Sequence, residues 1–328
     1  MTGKRLMAIG INIDGVLEHD GLPALSFDER FARVAKAGVF DYAEVNLWPG
    51  DDVLPVIRAS ERHGVPIGVM GGIFCLGDDT LPEYAARNGE AAALGCRVFN
   101  CQVFARDQAG VALTLQRMGE FYLRLMDIGV RSGCLPSLEV HVDMWTEQFG
   151  RVAELGDWLE RRGVPLRLTL DHSHLLFKLD NQEELTLSGL AGLDDGGHAL
   201  LHPDSATSLY AQWLARGWVV HAHARSVQSP GMPNPWMRRG ELAGRGIQYP
   251  FTAPAPGSYH GPWDESELAP WKLAVTQLLA WKKARRSSPL AQISCEFIPF
   301  ADYGGATRYS ILEQNVACAR WLAQLQRA

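Results

Sequence analysis

The six cysteines of this 328-residue chain (Cys75, Cys96, Cys101, Cys134, Cys295 and Cys318) include no C-x-x-C pair and no secreted-scaffold spacing. That argues against a disulfide framework and for free, mostly buried thiols in a reducing compartment. No apolar run approaches the length that spans a bilayer, and the opening MTGKRLMAIGINIDG lacks signal-peptide architecture. Long basic runs are missing as well. Arg238-Arg239 is short, and Lys282-Lys283-Ala284-Arg285-Arg286 reads as the solvated end of a helix. With a net charge of −6 there is no global basic field to attract nucleic acid or anionic membrane. The expectation is a cytoplasmic protein.

What is present is a repeated strand–helix alternation. Strand-like patterns fall at residues 6–14, 42–47, 66–74, 96–104, 137–144, 165–171, 218–226 and 292–299. Helical patterns fill the intervals, several of them stopping at a Gly one to three residues before the next strand. Eight such pairs in one chain point to an α/β fold of the (β/α)8 TIM-barrel type, a single domain over 1–328. A doubly wound open sheet is the alternative, but its Gly-rich first turn is absent, since GINIDG contains no G-x-G-x-x-G. The segment 227–270 breaks the short-loop rule and carries Trp236, Tyr249, Phe251, Tyr259, His260 and Trp263. Disordered linkers are poor in aromatics. A long loop after the seventh strand is expected over the catalytic face, as a lid, a partner contact or an insert packed on its own rings.

The stretch LEVHVDMW (138–145) alternates apolar Leu138, Val140, Val142 and Met144 with ionisable Glu139, His141 and Asp143. As a strand it would present one polar face, either to solvent or to a site. Other strands repeat the feature near their C-terminal ends, where barrel enzymes place their chemistry. They carry Asp171 on the sixth, His221, His223 and Arg225 on the seventh, and Glu296 on the eighth. Earlier strands offer Asn12, Asp14, Glu44, Asn46, Asn100 and Gln102. Two Glu, one Asp and one His converging from four consecutive strands supply hard oxygen ligands and an imidazole. That set suits a divalent ion, which would also compensate the carboxylate charge.

On Glu139 in SLEVHVD, Asp171 and His174 in LTLDHSH, His223 in HAHARS and Glu296 in ISCEFIP, the chain resembles the xylose-isomerase-like TIM-barrel superfamily of sugar isomerases and epimerases. The resemblance implies one divalent metal, Mn²⁺ foremost with Mg²⁺, Co²⁺ or Zn²⁺ as alternatives, held by Glu139, Asp171, His223 and Glu296. It implies substrate contact for His174, and Arg225, His221, Glu44, Asn100 and Gln102 join it as candidate substrate contacts. Two departures stand out. The seventh strand ends His223-Ala-Arg-Ser226 where the family commonly has His-x-x-Asp, and His221 competes with His223 as ligand, His223 being favoured. His141, two residues after Glu139, is either a base acting on substrate or a partner of a ligand carboxylate.

The implied chemistry is proton abstraction next to a carbonyl of a keto-sugar or keto-glycoside, with Glu139 or Glu296 shuttling the proton. The long loop also resembles that of 3-keto-glycoside-processing members such as C-glycoside deglycosidase catalytic subunits, in which His141 would be the base of an elimination. A small partner subunit or a homo-oligomer is open on this reading. An endonuclease IV-like nuclease and a non-catalytic barrel are the rivals; the acidic balance opposes the first and the full ligand set the second.

Overall fold

The computed structural model describes residues 5–17, 22–48 and 50–327. Its strands run β1 (Ala8–Asn12), β2 (Tyr42–Asn46), β3 (Ile67–Phe74), β4 (Val98–Val103), β5 (Leu135–Glu139), β6 (Leu168–Asp171) and β7 (Val219–Ala224). A hairpin of β8 (Asn234–Arg239) and β9 (Leu242–Gly244) follows, and β10 (Gln292–Cys295) comes last. β10 pairs with both β7 and β1, all in parallel, so eight strands close into a barrel. Helices surround it, and the (β/α)8 expectation holds.

Local chemistry sets where the helices begin and end. Ser26 and Glu29 form a reciprocal capping box on the helix Phe27–Ala37. Gly38 and Gly64 close their helices in the left-handed region, at φ 63° and 66°, where a side chain would be strained. The outward faces of the strands carry Ile9, Ile11, Val45, Leu138, Leu168, Leu170 and Ile293, all buried against the helices. Each such side chain contributes roughly 1.5–3 kcal/mol on leaving water.

The inward faces are different. Tyr42 lies across the lumen, its ring so close to β1 and β3 that a Cβ on Gly10 or Gly68 would come within 2.3 or 2.6 Å of it. Its hydroxyl reaches Ser294 Oγ at 2.8 Å. Ser137 and Thr169 are hydrogen-bonded at 2.7 Å in the same polar lower layer. One step toward the C-terminal ends comes a layer of carboxylates, amides and imidazoles.

β5 corrects the expected strand 137–144. The strand starts at Leu135 and ends at Glu139. Its register with β6 stops at Glu139↔Thr169. Thr146 Oγ1 donates to the Glu139 carbonyl and accepts from the His141 amide, turning the chain out of the sheet. Asp143 takes φ 64°, and its amide is held by Glu147. Val140 and Val142 are buried by a turn, so an alternation that reads as pleat beyond Glu139 is loop. The first and last barrel strands are also shorter than expected, with a 3-10 turn at Ile13–Gly15 and Glu296 just beyond β10.

The segment 227–270 carries the hairpin and buries Tyr249, Phe251 and Tyr259. Arg245 anchors it through Glu147 and Glu184, Arg239 pairs with Asp143, and the Ile247 amide donates to the Asp302 carbonyl. It thus rests on the connections that follow β5, β6 and β10.

Candidate functional site

Glu139 and Asp171 are the last residues of β5 and β6, His223 is the next to last of β7, and Glu296 follows β10. The barrel therefore delivers them to one point. All four are buried, and one ligand atom from each lies within 4.8 Å of the others. Donors around a single ion at about 2.0–2.2 Å can be at most about 4.4 Å apart. His223 Nδ1 stands 3.1 Å from Glu139 Oε1 and 2.8 Å from Glu296 Oε2. His221 instead lies beneath, with Ser294 Oγ at 3.2 Å and Thr169 Oγ1 at 3.4 Å. Glu44 joins the layers: Oε1 is 3.0 Å from His223 Nε2, and Oε2 is 3.6 Å from His221 Nε2.

The electrostatics leave negative charge in excess. Four buried carboxylates (Glu44, Glu139, Asp171 and Glu296) share the Arg225 guanidinium and the His223 ring. Burial opposes a charged His223, yet Glu296, Glu44 and Glu139 together raise its pKa well above the ordinary imidazole value. Burial likewise opposes ionised Glu139, but His223 and its hydrogen bonds bring that carboxyl down to about 2. Burial raises Asp171, against the opposing pull of Arg225. Glu44 Oε2 accepts no hydrogen bond despite being buried, whereas Glu296 Oε2 faces His223 Nδ1 at 2.8 Å and Arg225 Nη1 at 3.5 Å. A buried carboxylate oxygen without a donor is costly. Three carboxylates and one imidazole fit a hard or borderline divalent ion.

Amides complete the shell. Asn100 and Gln102 donate to Glu139 Oε2 at 2.7 and 2.8 Å, and Asn12 donates to Glu296 Oε1 at 2.9 Å. Arg225 is buried, pairs with Asp171, and lies 4.2 Å over the Tyr303 ring. It also donates to His174 Nε2 at 2.9 Å, so His174 carries its proton on Nδ1, which has no partner. Burial, with His141 and Arg225 nearby, keeps His174 neutral far below its ordinary pKa. The His141 ring lies 4.1 Å from that of His174 between ring centres, tilted by 47°. Its Nδ1 donates to the Val142 carbonyl, and its Nε2 meets the Tyr303 hydroxyl at 3.0 Å.

Above this cluster opens a cavity of about 350 Å³, at the low end of the ligand-pocket range. Asn100, Gln102, His141, Arg225 and Glu296 line it, while Glu44, His174 and His221 are not among its lining residues. Nor is any described residue of 227–270. Sequence reading missed Tyr303, Trp48, Phe104 and Phe300, which line the cavity. Each sits in a connection just after a barrel strand, which is the one signal that pointed to them. It also missed the buried Lys178, which pairs with Glu147 at 2.8 Å and Glu184 at 3.2 Å below Arg245. No helix among the described residues is long and apolar enough to cross a membrane.

No protein-family model matches the sequence, and no curated protein does. Solved structures do match along the whole chain. A xylose isomerase domain-containing protein from Salmonella typhimurium is 13% identical with a TM-score of 0.55, covering 100% of both chains. A xylose isomerase-like TIM-barrel protein from Mycobacterium smegmatis, solved with magnesium, is 12% identical with a TM-score of 0.55, covering 98% of this chain and 96% of that one. An AP endonuclease of family 2 from Brucella melitensis is 15% identical with a TM-score of 0.51, covering 97% and 98%. At these identities the likeness is one of fold: the chain folds as the xylose isomerase-like TIM barrels do.

Proposed function

We propose that this protein is a divalent-metal-dependent enzyme of the sugar isomerase and epimerase type, moving a proton next to the carbonyl of a keto-sugar or keto-glycoside. The observation that carries the reading is the convergence of the buried Glu139, Asp171, His223 and Glu296 beneath the cavity. A divalent ion, Mn²⁺ in the first instance, would supply Lewis-acid polarisation of the carbonyl and offset the charge that develops there. The chain's own residues do the rest. Glu44 orients His223; Asn100 and Gln102 orient Glu139. Asn12 fixes one oxygen of Glu296, and the other, 2.8 Å from His223 Nδ1, takes and returns the proton. Arg225 and His141 present donors and a ring nitrogen to the substrate's hydroxyls. Glu296 lines the cavity and Glu139 does not, so we assign the proton transfer to Glu296.

A second reading rests on His141. Its Nδ1 donates to a carbonyl, so its Nε2 is the basic nitrogen, and the ring faces the cavity beside Tyr303. An elimination from a 3-keto-C-glycoside, the reaction of a C-glycoside deglycosidase catalytic subunit, would use that nitrogen as base. The test is ¹H/²H exchange in D₂O with Mn²⁺-supplied protein, offering free ketoses and 3-keto-glycosides. Exchange should occur in the native protein and vanish in Glu296→Gln. Near-normal exchange in that variant would sink the assignment, and release of the aglycone that depends on His141 would favour the second reading.

A further inference from the structure

Among the described residues, four groups of His and carboxylate side chains bring one donor atom each within 4.8 Å of one another. Three of these groups share the barrel lumen and its mouth. The fourth, His198, His202 and Asp204, lies in the connection between β6 and β7, and none of its members lines the cavity. Its sequence is HALLHPD (198–204). Two His four residues apart on a helical turn fall on one face, and Asp204 follows after Pro203. The helical turn His198–Leu201 ends at His202, whose amide donates to the His198 carbonyl at 3.0 Å. The two rings stack with 4.5 Å between centres and 16° between planes. His202 Nδ1 in turn contacts Asp204 Oδ1.

The backbone that carries these donors is tied down from several sides. Asp195 accepts the Gly197 and Ala199 amides at 3.0 and 2.7 Å, which fixes the start of the turn. The Ser205 and Thr207 hydroxyls donate to the Ala199 carbonyl at 2.7 and 2.8 Å, and the Tyr210 hydroxyl donates to the Leu201 carbonyl. Gln277, on the helix Ala269–Ala284, donates to the Pro203 carbonyl at 2.7 Å. His198 and Asp204 are exposed and His202 is half-buried, so an ion can reach all three from solvent. Donors gathered on anchored backbone lose little freedom when a ligand meets them. A stacked His pair with an ion pair needs no such scaffold, since exposed imidazoles are satisfied by water.

We propose that His198, His202 and Asp204 bind a borderline divalent transition ion, Zn²⁺ in the first instance, at a surface site separate from the barrel floor. Two imidazoles and one carboxylate are a donor set that zinc takes readily, with water completing the coordination. Imidazole nitrogen favours zinc, copper and nickel, whereas carboxylate-rich sets favour magnesium and manganese. The floor, with three carboxylates and one imidazole, is the harder of the two sites. The chain thus sorts cations by donor chemistry, a harder ion within the barrel and a softer one outside it. Bound there, the zinc ion ties the turn His198–Leu201 to the stretch leading into the helix Leu209–Ala215.

The test is equilibrium dialysis of the chelator-stripped full chain against Zn²⁺ or Mn²⁺, with bound metal counted by mass spectrometry. The native protein should hold one more Zn²⁺ per chain than His198→Gln/His202→Gln, while the two hold the same amount of Mn²⁺. The comparison is a difference between two chains with the same floor, so it stands whatever the floor binds. His63→Gln removes another His beside a carboxylate, Asp28 at 3.1 Å, and should leave the zinc count unchanged. Equal zinc counts in the native protein and the double variant would overturn the site. A loss of the same size in His63→Gln would mark the binding as nonspecific and overturn it too. A matching loss of Mn²⁺ in the double variant would overturn the preference for a softer ion.

Discussion

Glu44→Gln separates a metal site from a knot of buried charges. Glu44 is fully buried, and its Oε1 lies 3.0 Å from Nε2 of His223, whose other nitrogen faces Glu139 and Glu296. A carboxylate behind a ligating imidazole fixes the ring and raises its basicity, and its loss typically costs 10–100-fold in metal affinity. That corresponds to about 1.4–2.7 kcal/mol. Gln retains an oxygen for the Nε2 proton, so the ring keeps its place and only the charge is removed.

The same substitution acts on protons. Glu296, Glu44 and Glu139 hold a proton on metal-free His223 against the cost of burial, with a pKa well above the ordinary value. Metal capture at Nδ1 must displace that proton, so the native Kd for Mn²⁺ should fall as pH rises and keep falling above pH 7. Removing the Glu44 charge lowers the His223 pKa, so the variant's affinity should level off at lower pH. Titration of chelator-stripped protein with Mn²⁺, in buffers of different ionisation enthalpy, reads both affinity and proton release. The expected result is a Kd weakened about 10–100-fold near pH 8, with less proton release at pH 7. A Kd within about twofold of native with unchanged proton release would refute the arrangement.

Two further outcomes follow from buried charge. His172 is fully buried, neither ring nitrogen has a hydrogen-bond partner, and burial pushes its pKa down to about 3. Because the unfolded chain takes up that proton near pH 6.5, the contribution is complete above pH 6.5. It falls by about 1.4 kcal/mol per pH unit as pH drops toward 3. Urea unfolding of His172→Phe between pH 7 and 5 should show a shallower pH slope than native. Arg245→Met would leave Glu147 and Glu184 with Lys178 alone in a mostly buried pocket and cost about 3–5 kcal/mol. Adding Glu184→Gln should recover part of the loss; no recovery in urea unfolding would show that packing, not charge, holds the 227–270 segment there.

The barrel and its floor were legible for a topological reason. Once strands alternate with helices and close in order, residues at the C-terminal ends of β5, β6, β7 and β10 must converge, whatever lies between them. Period two then separates Leu138 from Glu139 and Leu170 from Asp171 without any knowledge of neighbours. The same rule failed one residue later, since Val140 and Val142 alternate with His141 and Asp143 in a turn held by Thr146 and Glu147. A hydrogen bond from a side chain several positions ahead leaves no periodic trace. Tyr303, Trp48, Phe104 and Phe300 were hidden for the related reason that loops carry no period, and their place depends on contacts made across the mouth. His221 and His223 show the boundary between the two cases. They share one face of one strand, so pattern alone treats them alike. The tilt of a closed barrel sets His221 among Thr169 and Ser294 and lifts His223 to the carboxylates. Depth along the lumen, a property of eight strands together, therefore separates a buried partner from a candidate ligand.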